Sequence, residues 1–241
     1  MNLEVWTQDE AGAFQTIPMP GQSWREGLSA QCQAHEYTRG GTAKLLTLFC
    51  PSSGEVRARG VTTCPNTILH SWFRIELTEV IARLPPAQLT ASAITGERWR
   101  QWQAGLQLPI TLPAQLPPLP ILLVLDNLAG HKTPELVLWF FAHAIMPLYT
   151  PLSGSWLNMC ESVQRIIKRR ALECQHPQTT AEIIRLLEAT VKGWNLSPTP
   201  FEWGGRRAAR RQRSRERAAQ RVGGSGAVIG RRVRNQQSLW I

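Results

Sequence analysis

The chain has 241 residues, 43% of them hydrophobic, which suits one domain of ordinary size with a proper core plus an appendage. Its formal net charge is +10, and its five cysteines show neither paired spacing nor an even count, so neither a zinc site nor a disulfide framework is indicated and a cytoplasmic protein is expected. The longest apolar run, 136–149, is interrupted by His143 and Pro147 and is too short to span a bilayer, and no secretory signal opens the chain.

Three strands are predicted in the first quarter of the chain. Residues 3–8 alternate as a strand does, and the polar stretch Asp9–Gly12 is expected to end it. Residues 44–50 form a second strand, a turn follows at Pro51–Gly54, and residues 55–61 alternate as a half-exposed third strand. The three strands are expected to form a meander.

A helix is predicted next, capped by Asn66 and running to about Leu84, where two prolines stop it. Residues 85–120 are rich in proline and glutamine. Only Gly96–Gln103 indicates a short helix there, so we interpret the stretch as an irregular linker or insertion.

The next strand, Ile121–Leu125, is apolar on both faces, as a central strand covered by helices on each side would be. Thr133 as cap and Pro134 at the first helical position predict a helix to about His143. A strand at 145–149 follows, which gives the order strand, helix, strand.

Two helices close the pattern. Ser155 is expected to cap a helix of about 17 residues, and the final helix opens with the capping box Thr179-x-x-Glu182 and ends at Gly193. The apolar stripe of the first of these helices consists of Trp156, Cys160, Val163, Ile167 and Ala171.

This order of elements is that of the ribonuclease H-like fold, an α/β fold in which helices flank a mixed five-stranded sheet. We therefore expect one such domain over 1–195, with 85–120 as its insertion, and a basic tail over 196–241. Residues 202–241 carry 11 arginines against two glutamates, a net charge of +9. We interpret the tail as an arm for phosphate backbones, with a merely solubilising tail as the alternative.

The chain contains only two aspartates, Asp9 and Asp126, and each follows a short apolar stretch. Glu161 comes 34 residues after Asp126, near the start of a predicted helix. If the first and fourth strands are parallel neighbours, the two aspartates lie side by side. Glu161, on a helix, can then approach them as a third carboxylate. Three convergent carboxylates repel one another unless a divalent cation such as Mg²⁺ binds between them, and two such ions could clamp a phosphoryl displacement.

Each acid also has an ordinary interpretation. Either aspartate could be a turn residue or a helix cap, and Glu161 could form a surface ion pair with Arg165. A Walker-B strand is disfavoured because no phosphate-binding Gly-x-x-x-x-Gly-Lys-Ser/Thr stretch precedes Ile121. His131 is expected to support the site or the fold rather than to bind the cation, since Mg²⁺ prefers oxygen.

Basic side chains near these acids are candidates for DNA phosphate binding. Arg165 and Lys168 share the Glu161 side of the predicted helix, with Arg169 and Arg170 expected beside them. The tail adds Arg206, Arg207, Arg210 and Arg211.

Several segments together resemble the DDE catalytic domain of bacterial insertion-sequence transposases of the mariner superfamily. They are Trp6-Thr-Gln-Asp9-Glu10, Leu125-Asp126-Asn127-x-x-x-His131-Lys132, Pro147-Leu-Tyr-Thr-Pro151-x-Ser153-x-x-Trp156-Leu157-Asn158-x-x-Glu161 and Phe201-x-Trp203-Gly-Gly-Arg-Arg207. The 34-residue gap is also that group's spacing, and the likeness covers roughly residues 3–210.

The resemblance implies that Asp9, Asp126 and Glu161 are the catalytic and metal-binding triad, supported by Glu10, Asn127, His131 and Asn158. It implies Mg²⁺ or Mn²⁺ as the cofactor, with two ions expected, hydrolysis of a phosphodiester at each transposon end, and attack of the freed 3′ hydroxyl on double-stranded target DNA, usually at a TA step. It also implies a homodimer in a transposition complex and a bacterial, nucleoid-associated location, with no membrane partner.

One departure concerns the start of the chain. Members of this family carry helix-turn-helix domains upstream that read the terminal repeats, whereas here the first catalytic aspartate is the ninth residue. We therefore expect the chain to be the downstream part of a transposase, either a truncated copy or the second frame of a split gene with a separately encoded or frameshift-fused DNA-binding part.

Two other functional classes remain open from sequence. A decayed transposase fragment would keep the fold and the basic tail and bind DNA without specificity or cleavage. A generic ribonuclease H or resolvase fits the fold but not the Trp-Leu-Asn-x-x-Glu helix.

Overall fold

A computed structural model describes residues 3–18, 40–85, 93–106, 111–151, 154, 157–201, 212–213 and 215–216. The chain divides into two compact units, residues 1–200 and 201–241. In the second unit the described residues 212–213 and 215–216 are helical, and Nε2 of Gln212 donates to Glu216 over 3.0 Å. All elements below belong to the first unit.

The first unit alternates strands and helices. Its strands are β1 Glu4–Gln15, β2 Thr42–Phe49, β3 Val56–Val61, β4 Ile121–Leu125 and β5 Ile145–Tyr149. Its helices are α1 Asn66–Ala82, α2 Ala93–Ala104, α3 Pro134–Ala142, α4 Cys160–Leu172 and α5 Thr180–Asn195, with a short 3-10 turn at Ala129–Lys132 before α3.

The five strands form one mixed sheet in the order β3-β2-β1-β4-β5. The meander β1-β2-β3 is antiparallel, while β4 pairs with β1 and β5 pairs with β4 in parallel. This arrangement confirms the predicted ribonuclease H-like fold. It also places the carboxyl end of β4 beside the middle of the long strand β1.

One face of the sheet packs against α1 and α3. The residues that fill this layer include Trp6, Leu46, Leu48, Leu69, Trp72, Phe73, Leu77, Ile121, Leu123, Leu125, Leu136 and Phe140. Burial of each large apolar side chain contributes about 1.5–3 kcal/mol. This layer is the main core of the domain and holds the central strands in place.

The other face of the sheet is covered by α4 and α5. α4 packs on β1 and β2, while α5 packs on β2 and β3. Asn195 of α5 accepts from the Val56 amide over 3.0 Å and donates to the Val56 carbonyl over 2.6 Å, and Glu188 accepts from the Gly60 amide over 2.9 Å. Side chains of α5 therefore occupy outward backbone groups of the edge strand β3.

The short helix indicated at Gly96–Gln103 is present as the twelve-residue helix α2, Ala93–Ala104, which is longer than predicted by three residues at its start and one at its end. The helix forms because Trp99 and Trp102 are buried together with Leu119 and Met146. Nε1 of Trp102 also donates to the carbonyl of Pro147 in β5 over 2.8 Å. Tertiary burial thus outweighs the polar composition that argued against a helix.

Helix α4 begins at Cys160, four residues later than predicted. The cap predicted at Ser155 and the stripe residue Trp156 lie outside the described residues. The amide of Cys160 donates to Oδ1 of Asn158 over 3.1 Å, which satisfies an amide at the start of the helix. The asparagine, rather than a serine, supports this helix end.

Two further helix boundaries differ from prediction. α1 begins at Asn66 itself, and its cap position is Pro65. The capping box of α5 is confirmed at Thr179, whose side chain accepts from the Glu182 amide over 3.2 Å. That helix continues to Asn195, two residues beyond the predicted end, because Asn195 is tied to β3.

Within the described part of the chain, no helix combines the length and the apolar character that crossing a membrane requires.

Candidate active site

Asp9 lies inside β1, not beyond its end. The prediction that the strand stops at Gln8 was wrong, because pairing with β2 continues to Gln15 opposite Thr42. The polar stretch after Gln8 forms a bulged strand, and the register shifts between Gly12 and Phe14. Gly12 has φ of +136°, a conformation that L side chains rarely adopt.

The parallel pairing of β1 with β4 sets Asp9 beside Asp126. The register runs from Glu4 opposite Ile121 to Thr7 opposite Val124, a constant offset of 117 residues. The same offset carried two residues further pairs position 9 with position 126. The two aspartates are therefore neighbours across two adjacent strands, with Asp126 just past the end of β4.

Side-chain contacts with β1 fix the start of α4. Nδ2 of Asn158 donates to the Gln8 carbonyl over 2.6 Å, and Sγ of Cys160 donates to the Thr7 carbonyl over 2.9 Å. The Cys160 thiol also lies 3.1 Å from Oγ1 of Thr7. Thr7 and Asp9 share a face of the strand, so these contacts bring Glu161, the next residue of α4, to the Asp9 side of the sheet.

The pKa of Asp9 is raised to about 6, mainly because the carboxyl group is buried. The Glu10 amide, which donates to Asp9 over 2.9 Å, opposes this shift. The negative charges of Asp126 and Glu161 raise the pKa further, and His131 lowers it. The three acids thus lie within electrostatic reach of one another, and a carboxyl group perturbed in this way is a functional-site candidate.

The pKa of Asp126 is lowered instead, and the largest cause is the contact with His131. Nδ1 of His131 lies 2.7 Å from Oδ1 of Asp126. The Leu128 amide donates to the same oxygen over 3.0 Å, and Lys132 adds positive charge. Asp126 is therefore ionised over a wide pH range.

His131 is held rigidly for this contact. Its side chain is only 1% exposed, and its ring meets Phe73 edge-on with centroids 5.9 Å apart. Its carbonyl accepts from the Tyr149 hydroxyl over 3.0 Å. The structure thus brings His131 to Asp126, where the sequence placed it.

The other residues predicted to support the site have separate partners. Asn158 anchors α4, as described above. Nδ2 of Asn127 donates to the Thr150 carbonyl, which ties the loop after β4 to the end of β5. Glu10 alternates to the opposite face of β1 and forms an ion pair of 2.6 Å with Lys44, so the structure does not bring it to the acids.

The donor set suits a divalent cation, because Asp9, Asp126 and Glu161 supply only oxygen ligands and their charges are mutually repulsive. Across the described ranges, however, no three His, Cys, Asp or Glu side chains are gathered closely enough to hold a metal as they stand. The assignment of the three acids as metal ligands stays a prediction.

The basic residues of α4 divide between two grooves. Arg165 and Lys168 line a groove of about 340 Å³ that also includes Glu161. Arg169 and Arg170 line a separate groove of about 540 Å³.

Placing Arg170 beside Arg165 was wrong. Arg170 follows Glu161 by nine residues, which is about two and a half turns of the helix, so Arg170 lies on the side opposite Glu161. The Arg170 guanidinium carbon lies 5.3 Å from the centroid of the Trp194 ring. The tail arginines Arg206, Arg207, Arg210 and Arg211 lie outside the described residues.

Two contributors were not predicted from the sequence. Cys160 was assigned only to an apolar stripe, yet its thiol anchors α4 to β1. Gln164 follows Glu161 by three residues and lines the same groove. Helical spacing alone could have placed Gln164 on that side.

A family model described as DDE superfamily endonuclease matches residues 4–184. No curated protein matches the chain.

Three solved structures show weak likeness. A chain of a pre-cleavage Mos1 transpososome shares 12% identity over 83% of this chain and 57% of its own length, with a TM-score of 0.45. The catalytic core domain of BIV integrase shares 11% identity over 83% of this chain and 86% of its own, with a TM-score of 0.39. A chain of a simian T-cell lymphotropic virus intasome shares 12% identity over 80% of this chain and 48% of its own, with a TM-score of 0.38. The present chain thus spans little more than half of the transpososome chain, and the family match alone carries the classification.

Proposed function

The chain belongs to the DDE superfamily of endonucleases, and from this premise we propose that it is the catalytic part of a transposase that cleaves DNA at transposon ends and joins them to target DNA. The observation that carries the proposal is the alignment of Asp9 with Asp126 across β1 and β4, with Glu161 on α4 in electrostatic reach.

The family implies dependence on a divalent cation. In our proposal Asp9, Asp126 and Glu161 hold Mg²⁺ or Mn²⁺, with two ions as the expected number. A cation bound there would activate the attacking oxygen and neutralise charge on the phosphate. No protein side chain is then needed as the nucleophile.

The chain's own residues prepare this site. Burial and the neighbouring acids keep Asp9 partly protonated near pH 6, so the acid cluster carries less charge until a cation replaces the proton. His131 keeps Asp126 ionised and restricts its orientation. Asn158 and Cys160 hold the start of α4, and therefore Glu161, against β1.

The substrate is proposed to be double-stranded DNA. Arg165 and Lys168 are exposed next to Glu161 and suit phosphate oxygens, and the arginine-rich tail adds charge for non-specific DNA affinity. By the same resemblance, a TA step is the expected target, a homodimer is the expected assembly, and the bacterial nucleoid is the expected location. A separately encoded DNA-binding part is the expected partner for reading transposon ends.

The test is cleavage of supercoiled plasmid DNA by the full chain, with Mg²⁺, with Mn²⁺, or with a chelator. We expect nicking only with a metal, and loss of nicking in Asp126→Asn and Glu161→Gln while DNA binding persists. Arg185→Gln, on the exposed side of α5, is the matched surface control. Nicking that survives both site substitutions would refute the assignment.

A second candidate is a transposase fragment that binds DNA without cutting it. One observation favours it: in the described part of the chain the acids are not gathered into a ready metal site. This candidate predicts DNA affinity that depends on salt but neither on metal nor on Asp126. The plasmid assay and a binding titration together separate the two functions.

A further inference from the structure

The strand that faces Asp9 across the sheet carries a buried hydroxyl group. Thr47 of β2 is paired with Asp9 of β1 in the antiparallel register. Its side chain is fully buried, and among the described residues its Oγ1 has no hydrogen-bond partner. A buried hydroxyl without a partner destabilises the fold, and such groups are rare in folded proteins. The hydroxyl of Thr47 therefore needs an explanation.

The pattern of β2 shows that packing does not supply one. Side chains at alternate positions of a strand share a face, so Thr47 lies on the same face as Ala43, Leu45 and Phe49. All three of these neighbours are buried and apolar. Valine has nearly the shape of threonine and would fill the same space with a methyl group in place of the hydroxyl. Packing alone thus gives no reason for a threonine at this position.

Thr47 and Asp9 lie on the same face of the sheet. Residues directly opposite each other on antiparallel strands share a face, with Cβ atoms about 4.5–5.5 Å apart. Leu46 and Leu48, the chain neighbours of Thr47, point the other way, into the core under α1 and α3. In addition, Sγ of Cys160 in α4 lies 3.7 Å from the Thr47 carbonyl oxygen. The Thr47 side chain consequently faces α4, as that of Asp9 does.

The burial of the hydroxyl restricts its partner to a neighbouring protein group. Oγ1 is shielded from solvent, so no molecule bound at the surface can reach it. The neighbours of Thr47 on this face of the sheet are Asp9 on β1, Ala58 on β3, and Leu45 and Phe49 along β2. Asp9 is the only one of these four whose side chain can accept a hydrogen bond. Because the two Cβ atoms are direct neighbours, side-chain rotation can bring the hydroxyl to that carboxyl group without movement of either strand.

We propose that Thr47 is a positioning residue for Asp9: when Asp9 is ionised and binds the divalent cation, the Thr47 hydroxyl donates a hydrogen bond to the carboxylate and fixes its orientation. The inference rests on the proposed function, in which Asp9 is a metal ligand. The Glu10 amide donates to Oδ1 of Asp9 over 2.9 Å. A carboxylate can accept about four hydrogen bonds, so the two donors can act together. Such partners orient the ligands of protein metal sites and strengthen metal binding.

The first test measures cation affinity. Mn²⁺ is titrated by calorimetry into the unchanged full chain, Thr47→Val, Thr47→Ser and Thr42→Val. We expect Mn²⁺ affinity to fall by about tenfold in Thr47→Val, because a metal ligand loses the partner that orients it. Thr47→Ser keeps the hydroxyl and should bind Mn²⁺ nearly as well as the unchanged chain. Thr42→Val makes the same substitution at an exposed position of β2 and should leave the affinity unchanged.

The serine variant separates the hydroxyl from packing. Serine keeps the hydrogen-bond donor but lacks the methyl group of threonine, so a role in packing alone would not be rescued by Thr47→Ser. Mn²⁺ affinity that is equal in Thr47→Val and the unchanged chain would overturn the inference. An equal loss of affinity in both Thr47 variants would overturn it as well.

The second test uses no metal and no cleavage. Urea unfolding is followed with a chelator at about pH 8, where Asp9 is ionised. Thr47→Val is introduced into the unchanged chain and into Asp9→Asn. We expect it to lower the urea midpoint more in the unchanged chain, because a hydrogen bond to a carboxylate is stronger than one to a neutral amide. Equal shifts in the two backgrounds would show that the hydroxyl does not pair with Asp9.

Together the two tests distinguish failure of this inference from failure of the proposed function. An unchanged chain that binds no Mn²⁺ refutes the proposed metal site, and with it any role of Thr47 in metal binding. The urea comparison then still decides whether the hydroxyl pairs with Asp9. An unchanged chain that binds Mn²⁺ as tightly as Thr47→Val does leaves the proposed function standing and refutes the role of Thr47.

Discussion

The imidazole of His131 lies 2.7 Å from the carboxylate of Asp126, which directly follows β4, the parallel neighbour of β1. The two aspartates consequently differ in protonation: the pKa of Asp126 is lowered by His131, while burial raises the pKa of Asp9 to about 6. A pair of adjacent acids in unlike states is common where one of them must exchange a proton for a ligand.

Replacing the histidine tests its role in holding Asp126. We expect His131→Gln to lower Mn²⁺ affinity and the nicking rate by about tenfold to a hundredfold, because the carboxylate loses the group that keeps it charged and oriented. Calorimetric titration with Mn²⁺ and the plasmid assay measure the two effects. His143→Gln is the control, since His143 is exposed just after α3 and stacks on Trp139. Equal cation affinity in both variants would exclude the positioning role.

Cation binding should weaken as the pH falls through about 6, because Asp9 has that pKa in the folded protein and only its ionised form binds a metal. The dependence of Mn²⁺ affinity on pH is measured by titration between about pH 5 and about pH 8. This range extends about a unit or more on either side of the perturbed pKa. A profile without a change near pH 6 would argue against Asp9 as a ligand.

The same shift predicts an effect on stability without metal. The pKa of Asp9 is raised from 3.8 to about 6, so between these values the folded state holds a proton that the unfolded state releases, and stability falls as the pH rises through this window. Asp9→Asn removes the charge. It should raise the free energy of unfolding by about 1–3 kcal/mol at pH 8 and by nothing below about pH 4, in urea melts with a chelator present. If Asp9→Asn changed the free energy of unfolding by the same amount at both pH values, the burial of a charge at Asp9 would be contradicted.

Asn158 is expected to matter for both the fold and the chemistry. Asn158→Ala removes its bonds to the Gln8 carbonyl and the Cys160 amide, so we expect a loss of about 1–3 kcal/mol and displacement of Glu161. Asn195→Ala is a matched control, because Asn195 likewise makes two hydrogen bonds from its side chain to backbone groups. Its partner is Val56, and it lies on α5. Urea melts should show a similar loss of stability for the two variants. Nicking by folded protein should fall only in Asn158→Ala.

Arg170 is expected to act through packing rather than through DNA. Arg170→Gln removes the contact with Trp194 and should lower stability by about 0.5–1 kcal/mol. The salt slope of DNA binding should stay the same, in contrast to Arg165→Gln. A reduced slope would show that the second groove also contacts phosphates.

Much of this fold follows from local sequence patterns. β4 and β5 are short, continuous apolar runs with clear ends, and the capping box at Thr179 marks the start of α5, so these elements were predicted correctly. The parallel pairing of β1 with β4, on which the predicted site depended, is present in the sheet.

The remaining differences depend on contacts between distant residues. No local pattern shows that β2 pairs with β1 beyond Asp9, so the strand was predicted too short. Burial of Trp99 and Trp102 against β5 explains α2 in the same way. In the site, spacing suggested the three acids, and a motif suggested His131. The face of the sheet toward which the Glu10 side chain points depends on how far β1 continues. That the Gln164 amide and the Thr47 hydroxyl lack partners among the described residues is visible only in three dimensions.

The side chains that α5 places on β3 have a consequence for self-association. A second copy cannot extend the sheet at Val56 or Gly60 by strand addition unless α5 first moves away, since Asn195 and Glu188 already occupy those backbone groups. The β3 edge of the sheet is thus protected against pairing with a strand of a second copy.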